Sequence, residues 1–306
     1  MKSVLPVLTV VAFILGLWTL AVVPMNMHAS VTQAQRDGAV VRPETAIERQ
    51  KLTGLSLALK NPSAIASTYF QDRPRLPSPH QVAGELWKTT VQKKITSKRS
   101  LVFHGWVTVS ATLLGFAIGT GLGILLAVGI VYSRAMDMSV MPWAIASQTV
   151  PILAVAPMII VMLGAIGVQG LLPKSIIAAY LSFFPVVVGM VKGLRSPDAM
   201  QLDLLRTYST GVAQEFWKLR LPSSMPYLFA SLKIGIAASL VGTIVGELPT
   251  GARAGFGARM LVGDQFGQPL VAWAALFAAA IAAAVLVGIV SATERVTLKR
   301  MGMERA

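Results

Sequence analysis

Six stretches of this chain are apolar for roughly twenty residues each: about 4–23, 105–132, 139–163, 170–191, 227–248 and 269–292. A helix rises 1.5 Å per residue, so about twenty apolar residues match the roughly 30 Å hydrocarbon core of a bilayer. Hydrocarbon offers backbone amides no water to bond to. Such stretches must therefore cross as helices that satisfy their own hydrogen bonds. The remaining composition agrees: 54% of the 306 residues are hydrophobic and only 13% are charged, too apolar for a soluble domain. These features imply an all-α, polytopic membrane helix bundle of six transmembrane helices.

The net charge of +14 might suggest a nucleic-acid binder. The basic residues lie between the apolar runs, however, which is the signature of membrane topology, and no nucleic-acid partner is expected. With the N-terminus inside, the short inner segments hold Lys2, Arg134, Lys192, Arg195, Arg206, Lys218, Arg220, Arg295, Lys299, Arg300 and Arg305. The short outer segments hold only Lys174, Arg253 and Arg259. Both termini are therefore expected in the cytoplasm, with 24–100 outside, because loops that long cross regardless of charge. The first run is read as an uncleaved helix (1–23). A cleaved signal peptide is the alternative, disfavoured because the apolar core exceeds the usual 7–15 residues.

The absences narrow the chemistry. No cysteine is present, which removes disulfides, thiolate metal sites and cysteine nucleophiles. His28, His80 and His104 are too scattered for a zinc motif, and no P-loop occurs, so no metal or cofactor is expected on this chain. Gly115, Gly119 and Gly123 form overlapping GxxxG steps, which let helices approach closely in lipid. The GARAGFG run (Gly251, Gly255, Gly257) lacks dinucleotide spacing and reads as a turn between spans. Pro151, Pro157 and Pro185 interrupt apolar runs and free backbone groups that neighbours or a water-lined cavity must satisfy. Gln148, Thr149, Pro151 and Glu247 are the candidate pathway residues. The bland roles are interhelical bonding for Gln148 and Thr149, and restraint of the 249–268 loop for Glu247. Lys233 lies seven residues beyond Pro226, about 10 Å along a helix, and is expected to snorkel or pair. Before the second span, Ser78 and Pro79 open a helix near 79–97. Val82, Leu86, Trp87, Val91 and Ile95 suit an amphipathic helix on the outer lipid surface.

The polar stretch 203–222, DLLRTYSTGVAQEFWKLRLP, lies between the fourth and fifth spans. It resembles the EAA signature of permease subunits of type I ABC importers. That signature is EAA, three residues, Gly, nine residues, an aliphatic, any residue, then Leu-Pro. Here the same spacing reads Asp203-Leu204-Leu205, then Arg206, Thr207 and Tyr208, then Ser209, nine residues, Leu219, Arg220, Leu221 and Pro222. Asp replaces Glu, Leu-Leu replaces Ala-Ala, and Ser replaces Gly. LPSP at 76–79, Gln148-Thr149-Val150-Pro151, FFPVVVGMVKGL and the run 221–247 are similar to the nitrate/sulfonate/taurine group of these permeases. The resemblance covers about 76–292; residues 24–75 read as an insertion without assigned function.

The resemblance implies a MetI-like permease core at 101–292, a cytoplasmic coupling loop at 193–226 and a cytoplasmic tail at 293–306. It implies that Leu202, Asp203, Leu204 and Leu205, with Arg206 to Ser209 and Leu219, Leu221 and Pro222, meet a cytoplasmic ABC ATPase. ATP and Mg would bind that ATPase, with none on this chain. The resemblance further implies an extracytoplasmic solute-binding protein, a second permease subunit in a homodimer, and residence in the bacterial inner membrane among lipid. An ion-gradient-driven secondary transporter and a membrane scaffold with a docking loop are the rival readings. The first would call for more carboxylates within spans and an inverted repeat.

Overall fold

A computed structural model describes residues 4–248, 252 and 254–303. Lys2, Gly251, Arg253 and Arg305, named above, lie outside the described residues. The helices are α1 (Val4–Arg36), α2 (Ala46–Lys51), α3 (Gly54–Lys60), α4 (Pro79–Trp87), α5 (Leu101–Tyr132), α6 (Arg134–Ser147) and α7 (Ile152–Ala165). They continue as α8 (Leu171–Leu194), α9 (Ala199–Thr207), α10 (Val212–Glu215), α11 (Leu221–Glu247), α12 (Phe256–Gln265) and α13 (Pro269–Arg300). Among the described residues no strand occurs. Among the described residues, five helices are long and apolar enough to cross a membrane: α1, α5, α8, α11 and α13.

The third run departs from expectation. It was read as one span over 139–163, but α6 and α7 meet at an angle of 97°. Pro151 lacks an N–H and drives the residue before it out of the helical region. Thr149 Oγ1 meanwhile donates to Ala146 O at 2.8 Å, closing the end of α6. The interruptions expected at Pro157 and Pro185 do not occur: both sit inside continuous helices, as prolines in membrane helices can when neighbours satisfy the freed carbonyl.

The chain divides into two compact units, one of residues 1–102 with 259–278, the other of 103–258 with 279–306. In the second unit, glycines set the packing. A Cβ on Gly115 would meet Ala178 Cβ at 2.5 Å, one on Gly119 would strike Ser182, and one on Gly123 would meet Val186 at 2.9 Å. The three GxxxG glycines are thus the face on which α5 meets α8, and the matching residues ascend together, so these helices run parallel. α11 runs antiparallel to α8: Gly193 lies against Ser224, Gly189 against Ser231, and Gly242 against Ala178. Parallel α5 and α8 require the chain between them to return to its starting level. The bent α6–α7 pair therefore serves as one broken crossing, and the crossings number six. Ala127, Ile130, Val186, Val187, Met190, Val191, Leu194 and Leu228 form the apolar core at one end of these helices.

This geometry carries a prediction. Gly119→Leu should abolish folded protein in detergent extracts, because Ser182 and Ala179 O already fill that space. Gly121→Leu, two residues on, meets nothing within 4 Å and should leave the melting temperature within a few degrees. Equal loss in both variants would contradict the assigned face.

In the first unit, α1 outruns its apolar stretch. Its 33 residues span about 50 Å, and only residues up to about 23 are continuously apolar. Leu5, Leu8, Phe13 and Leu17 are exposed in the lower half. The upper half buries Val22, Met27 and Val31. The 24–75 insertion folds onto this extension as a small cap whose core joins Met27 and Val31 to Val41, Leu57, Ala58 and Ala64. Buried amides stitch it down. Asn26 Nδ2 donates to Thr68 O and Leu76 O, while its Oδ1 accepts from Leu76 N. Asn61 closes a similar pair with the backbone of Arg42, and Arg49 donates to Pro43 O and Glu44 O. Trp18 Nε1 donates to Pro77 O at 3.0 Å, and its ring stacks on Phe277 at 5.4 Å, an aromatic cluster of the kind found at membrane–water boundaries.

The helix that opens at Ser78 and Pro79 is confirmed, with Ser78 N–H donating to Gln81 Oε1. It ends earlier than the expected 97: a π-helical turn, Lys88–Gln92, follows α4, and Ile95 lies beyond it. The apolar side chains also divide. Val82 is buried, whereas Trp87, Val91 and Ile95 are exposed. In the same unit, burial pushes the Arg259 guanidinium below its ordinary value. The charge of Glu85 opposes this shift and that of Arg99 adds to it.

Candidate coupling loop and pathway residues

The loop between α8 and α11 is built by strong local signals. Asp198 stands at the N-cap of α9, with extended backbone, and its N–H donates to Gln201 Oε1 at 3.2 Å. This reciprocal arrangement satisfies donors that a helix start leaves orphaned. At the other end, Ser209 N–H donates to Arg206 O and Thr210 N–H to Leu205 O. These bonds define a Schellman turn, whose C′ residue must be left-handed. That residue is Ser209, at φ +54°. It occupies the place where the EAA signature has glycine, and the geometry states the reason for that glycine. Ser209→Gly should raise local helix stability by up to about 1 kcal/mol. Ser209→Val should fray α9, as read by exchange of the Leu205–Thr210 amides; equal exchange in both variants would contradict the turn.

On α9 the apolar side chains fall on two sides. Met200, Leu204 and Tyr208 recur every fourth residue and are all strongly exposed. Leu202 and Leu205 are half-buried. Asp203 pairs with Arg206 at 3.1 Å on the exposed surface, a contact of the class that contributes little to stability. Thr207 is exposed and donates to Asp203 O. Leu219 and Leu221 are half-buried, with Leu221 packed on the core described above, and Pro222 stands in the first turn of α11.

Arg220 braces this loop, a role its sequence position did not reveal. Its Nε donates to Glu215 Oε1 at 2.5 Å, its Nη1 donates to Leu194 O at 2.8 Å, and the guanidinium lies 5.7 Å from the Tyr132 ring. One side chain thus ties the loop to the ends of α8 and α5. Arg195 adds an ion pair to Asp137 of α6 at 2.8 Å.

Gln148, Thr149 and Pro151 come together at the α6–α7 break. Gln148, Thr149 and Pro151 are all exposed; Tyr180 Oη donates to the adjacent Ser147 O. Glu247 belongs to a separate cluster and is fully buried. Its carboxylate accepts from Thr108 Oγ1 at 3.0 Å, Lys174 Nζ at 3.3 Å and Gly257 N at 3.0 Å. Lys174 and Thr108 were not legible as its partners, since 73 and 139 residues separate them from Glu247. Lys233, expected to snorkel or pair, forms an ion pair with Glu294 of α13 at 2.7 Å. Among the described residues no cluster of ligands suits a metal ion.

A parallel-and-antiparallel triplet of small-residue helices, a bent helix pair and a braced polar loop describe a polytopic membrane protein. The family model for "binding-protein-dependent transport system inner membrane component" matches residues 119–302, and the chain belongs to that family. It is 31% identical over 183 residues to the formylaminopyrimidine transport permease of Halalkalibacterium halodurans, covering 60% of this chain and 68% of that protein. It is 31% identical over 201 residues to the riboflavin transport system permease of Chloroflexus aurantiacus, covering 64% and 69%. It is also 27% identical over 207 residues to a putative aliphatic sulfonates transport permease of Bacillus subtilis, covering 68% and 73%. The chain is therefore a multi-pass inner-membrane permease of the type I ABC importer class, with the MetI-like fold, and a transport subunit.

Proposed function

We propose that this permease is driven by ATP hydrolysed on a separate cytoplasmic ATPase and receives a small solute from an extracytoplasmic binding protein. The observation that carries this reading is the exposed Met200–Leu204–Tyr208 stripe on a short helix capped at both ends and braced by Arg220. An apolar stripe on a rigid helix is suited to a groove on a partner protein. Leu221 packs on the apolar core of the bundle, Leu202, Leu205, Leu219 and Pro222 form the half-buried side of the loop, and Asp203, Arg206, Thr207 and Ser209 shape its polar flank. Movement of the ATPases would pass through Arg220 to α5 and α8 as rigid-body motion, the form expected of alternating access. ATP and Mg belong to the ATPase, and this chain carries no cofactor. Two copies of the permease enclose the pathway, with Gln148, Thr149 and Pro151 at the broken crossing facing it. The relatives' names support a small organic or oxyanionic solute: a pyrimidine, a flavin or a sulfonate.

Both termini face the cytoplasm and the 24–75 cap faces outward in this reading. The natural absence of cysteine makes the orientation simple to test. A membrane-impermeant maleimide should label Ser67→Cys, exposed on the cap, in intact cells, and should label Thr207→Cys only after permeabilisation. The reverse pattern would overturn the topology. For the partner, co-purification with candidate ATPases should be retained by the wild-type chain and lost on Asp203→Arg. Equal recovery of the ATPase with both would refute the docking role.

A further inference from the structure

The turn 254–257, within the run read from sequence as a plain connection, uses four successive backbone groups on side chains from three helices. Ala254 O accepts from Lys174 Nζ at 2.9 Å. Gly255 N–H donates to His104 Nδ1 at 3.0 Å. Phe256 N–H donates to Thr108 Oγ1 at 2.9 Å, and Gly257 N–H donates to the Glu247 carboxylate at 3.0 Å. Helices α5, α8 and α11 each contribute. The approach is so close that a Cβ on Gly255 would overlap the Glu247 carboxylate, and Gly255 adopts φ +127°. A Cβ on Gly257 would sit 2.8 Å from Glu247 Cβ. These two glycines are therefore demanded by the carboxylate they enclose.

Along the same helices the stitching continues. Thr112 Oγ1 and Thr243 Oγ1 lie 3.0 Å apart, Ser239 Oγ donates to Thr112 O at 2.9 Å, and Ser175 Oγ reaches Ala111 O at 3.1 Å. Thr108, Thr112, Ser175, Ser239, Thr243 and Glu247 are all fully buried. Separating α5 from α11 at this end would expose a carboxylate, an ammonium and several backbone amides to a site with no other partners for them. The α6–α7 segment is the opposite case: Trp143, Leu153, Met158 and Met162 are exposed and the two halves meet at a bend.

We infer that Glu247 is a positioning residue for transport, a clamp that makes this end of α5, α8 and α11 and the turn 254–257 one body that stays closed through the transport cycle. This inference rests on the reading of the chain as an ATP-driven permease. It assigns Glu247 away from the pathway lining, and assigns the opening of the pathway to elements outside the triplet, beginning with α6–α7.

A disulfide tests it. Thr112→Cys with Thr243→Cys places two sulfurs where hydroxyl oxygens 3.0 Å apart now sit, within reach of an S–S bond of about 2.05 Å, in a chain with no other thiol. In vesicles containing the ATPase, oxidation should leave at least about half of the ATP-driven uptake of the reduced protein, since the clamp does not open. Uptake abolished by oxidation and restored by dithiothreitol would overturn the inference. The wild-type complex gives a second reading that needs no variant. Deuterium exchange of peptides covering 104–112 and 239–247 should agree within about twofold between nucleotide-free and ATP-trapped states, because a closed body opens no further. A clear rise on trapping would overturn the inference as well. Absence of ATP-driven uptake in the reduced and wild-type proteins alike would instead sink the transport reading on which it stands.

Discussion

Glu247→Leu is expected to remove most of the folded protein from the membrane, although the carboxylate lies at the end of a helix and touches no solvent. The substitution leaves Lys174, itself 8% exposed, with Ala254 O as its remaining hydrogen-bond partner among the described residues, and strands the Gly257 amide. Breaking one member of a buried ion pair costs about 3–5 kcal/mol, against a total stability of about 5–15 kcal/mol for a typical protein. Lys174→Met should be comparably damaging, because the buried carboxylate then loses the cation it pairs with among the described residues. The double variant, Glu247→Leu with Lys174→Met, removes both charges and should recover more than half of either single loss. It should fall short of wild type because the Gly257 amide still lacks its acceptor. Melting temperature in detergent, together with the yield of monodisperse protein, reads all three. A double variant as poor as the sum of the singles would show that the two groups are not coupled.

The second large effect is expected at the opposite end of the same helices and has the opposite signature. Leu204 is 57% exposed on α9, so Leu204→Asp should alter melting by little, as substitutions at exposed sites normally change stability by about 0.5 kcal/mol or less. Its consequence should appear only in the complex. Burying a carboxylate in an apolar groove, or losing an anchor residue there, costs about 2 kcal/mol or more, which is roughly a thirtyfold loss of ATPase affinity. Solute uptake should fall more than tenfold at limiting ATPase. Tyr208→Ala on the same stripe should follow it more weakly, while Lys218→Ala, exposed outside the stripe, should retain uptake. If Leu204→Asp also lowers melting, the residue packs on its own chain and the docking assignment fails.

These two effects mark how far sequence reading reaches. Hydropathy locates the long apolar helices α1, α5, α8, α11 and α13, because a bilayer leaves a helix few alternatives, but not the bend that splits the third run, and the GxxxG glycines of α5 prove to be a packing face. The Leu-Pro end of the loop and its spacing locate α9, and the left-handed turn explains why glycine suits the place where Ser209 stands. Hydropathy is silent where polar residues continue a helix. Asn26 and Ser30 carry α1 beyond its apolar run because a folded cap covers them. It also fails to rank prolines: Pro151 stands at the break between α6 and α7, whereas Pro157 and Pro185 sit inside continuous helices. The Glu247 cluster was least legible. Thr108, Lys174 and Gly257 converge on Glu247 from three separate regions of the chain, and no local pattern records that convergence.

The central claim is that the capped loop between α8 and α11 couples this permease to ATP hydrolysis on another chain. Its most direct measurement is solute uptake into vesicles holding the permease, its ATPase and the solute-binding protein, with ATP inside or absent and with ion gradients imposed or dissipated. The account predicts uptake that requires ATP, survives dissipation of every gradient and is lost on Leu204→Asp while the protein stays folded. Uptake that follows a proton or sodium gradient and is unchanged by ATP or by Leu204→Asp would contradict it.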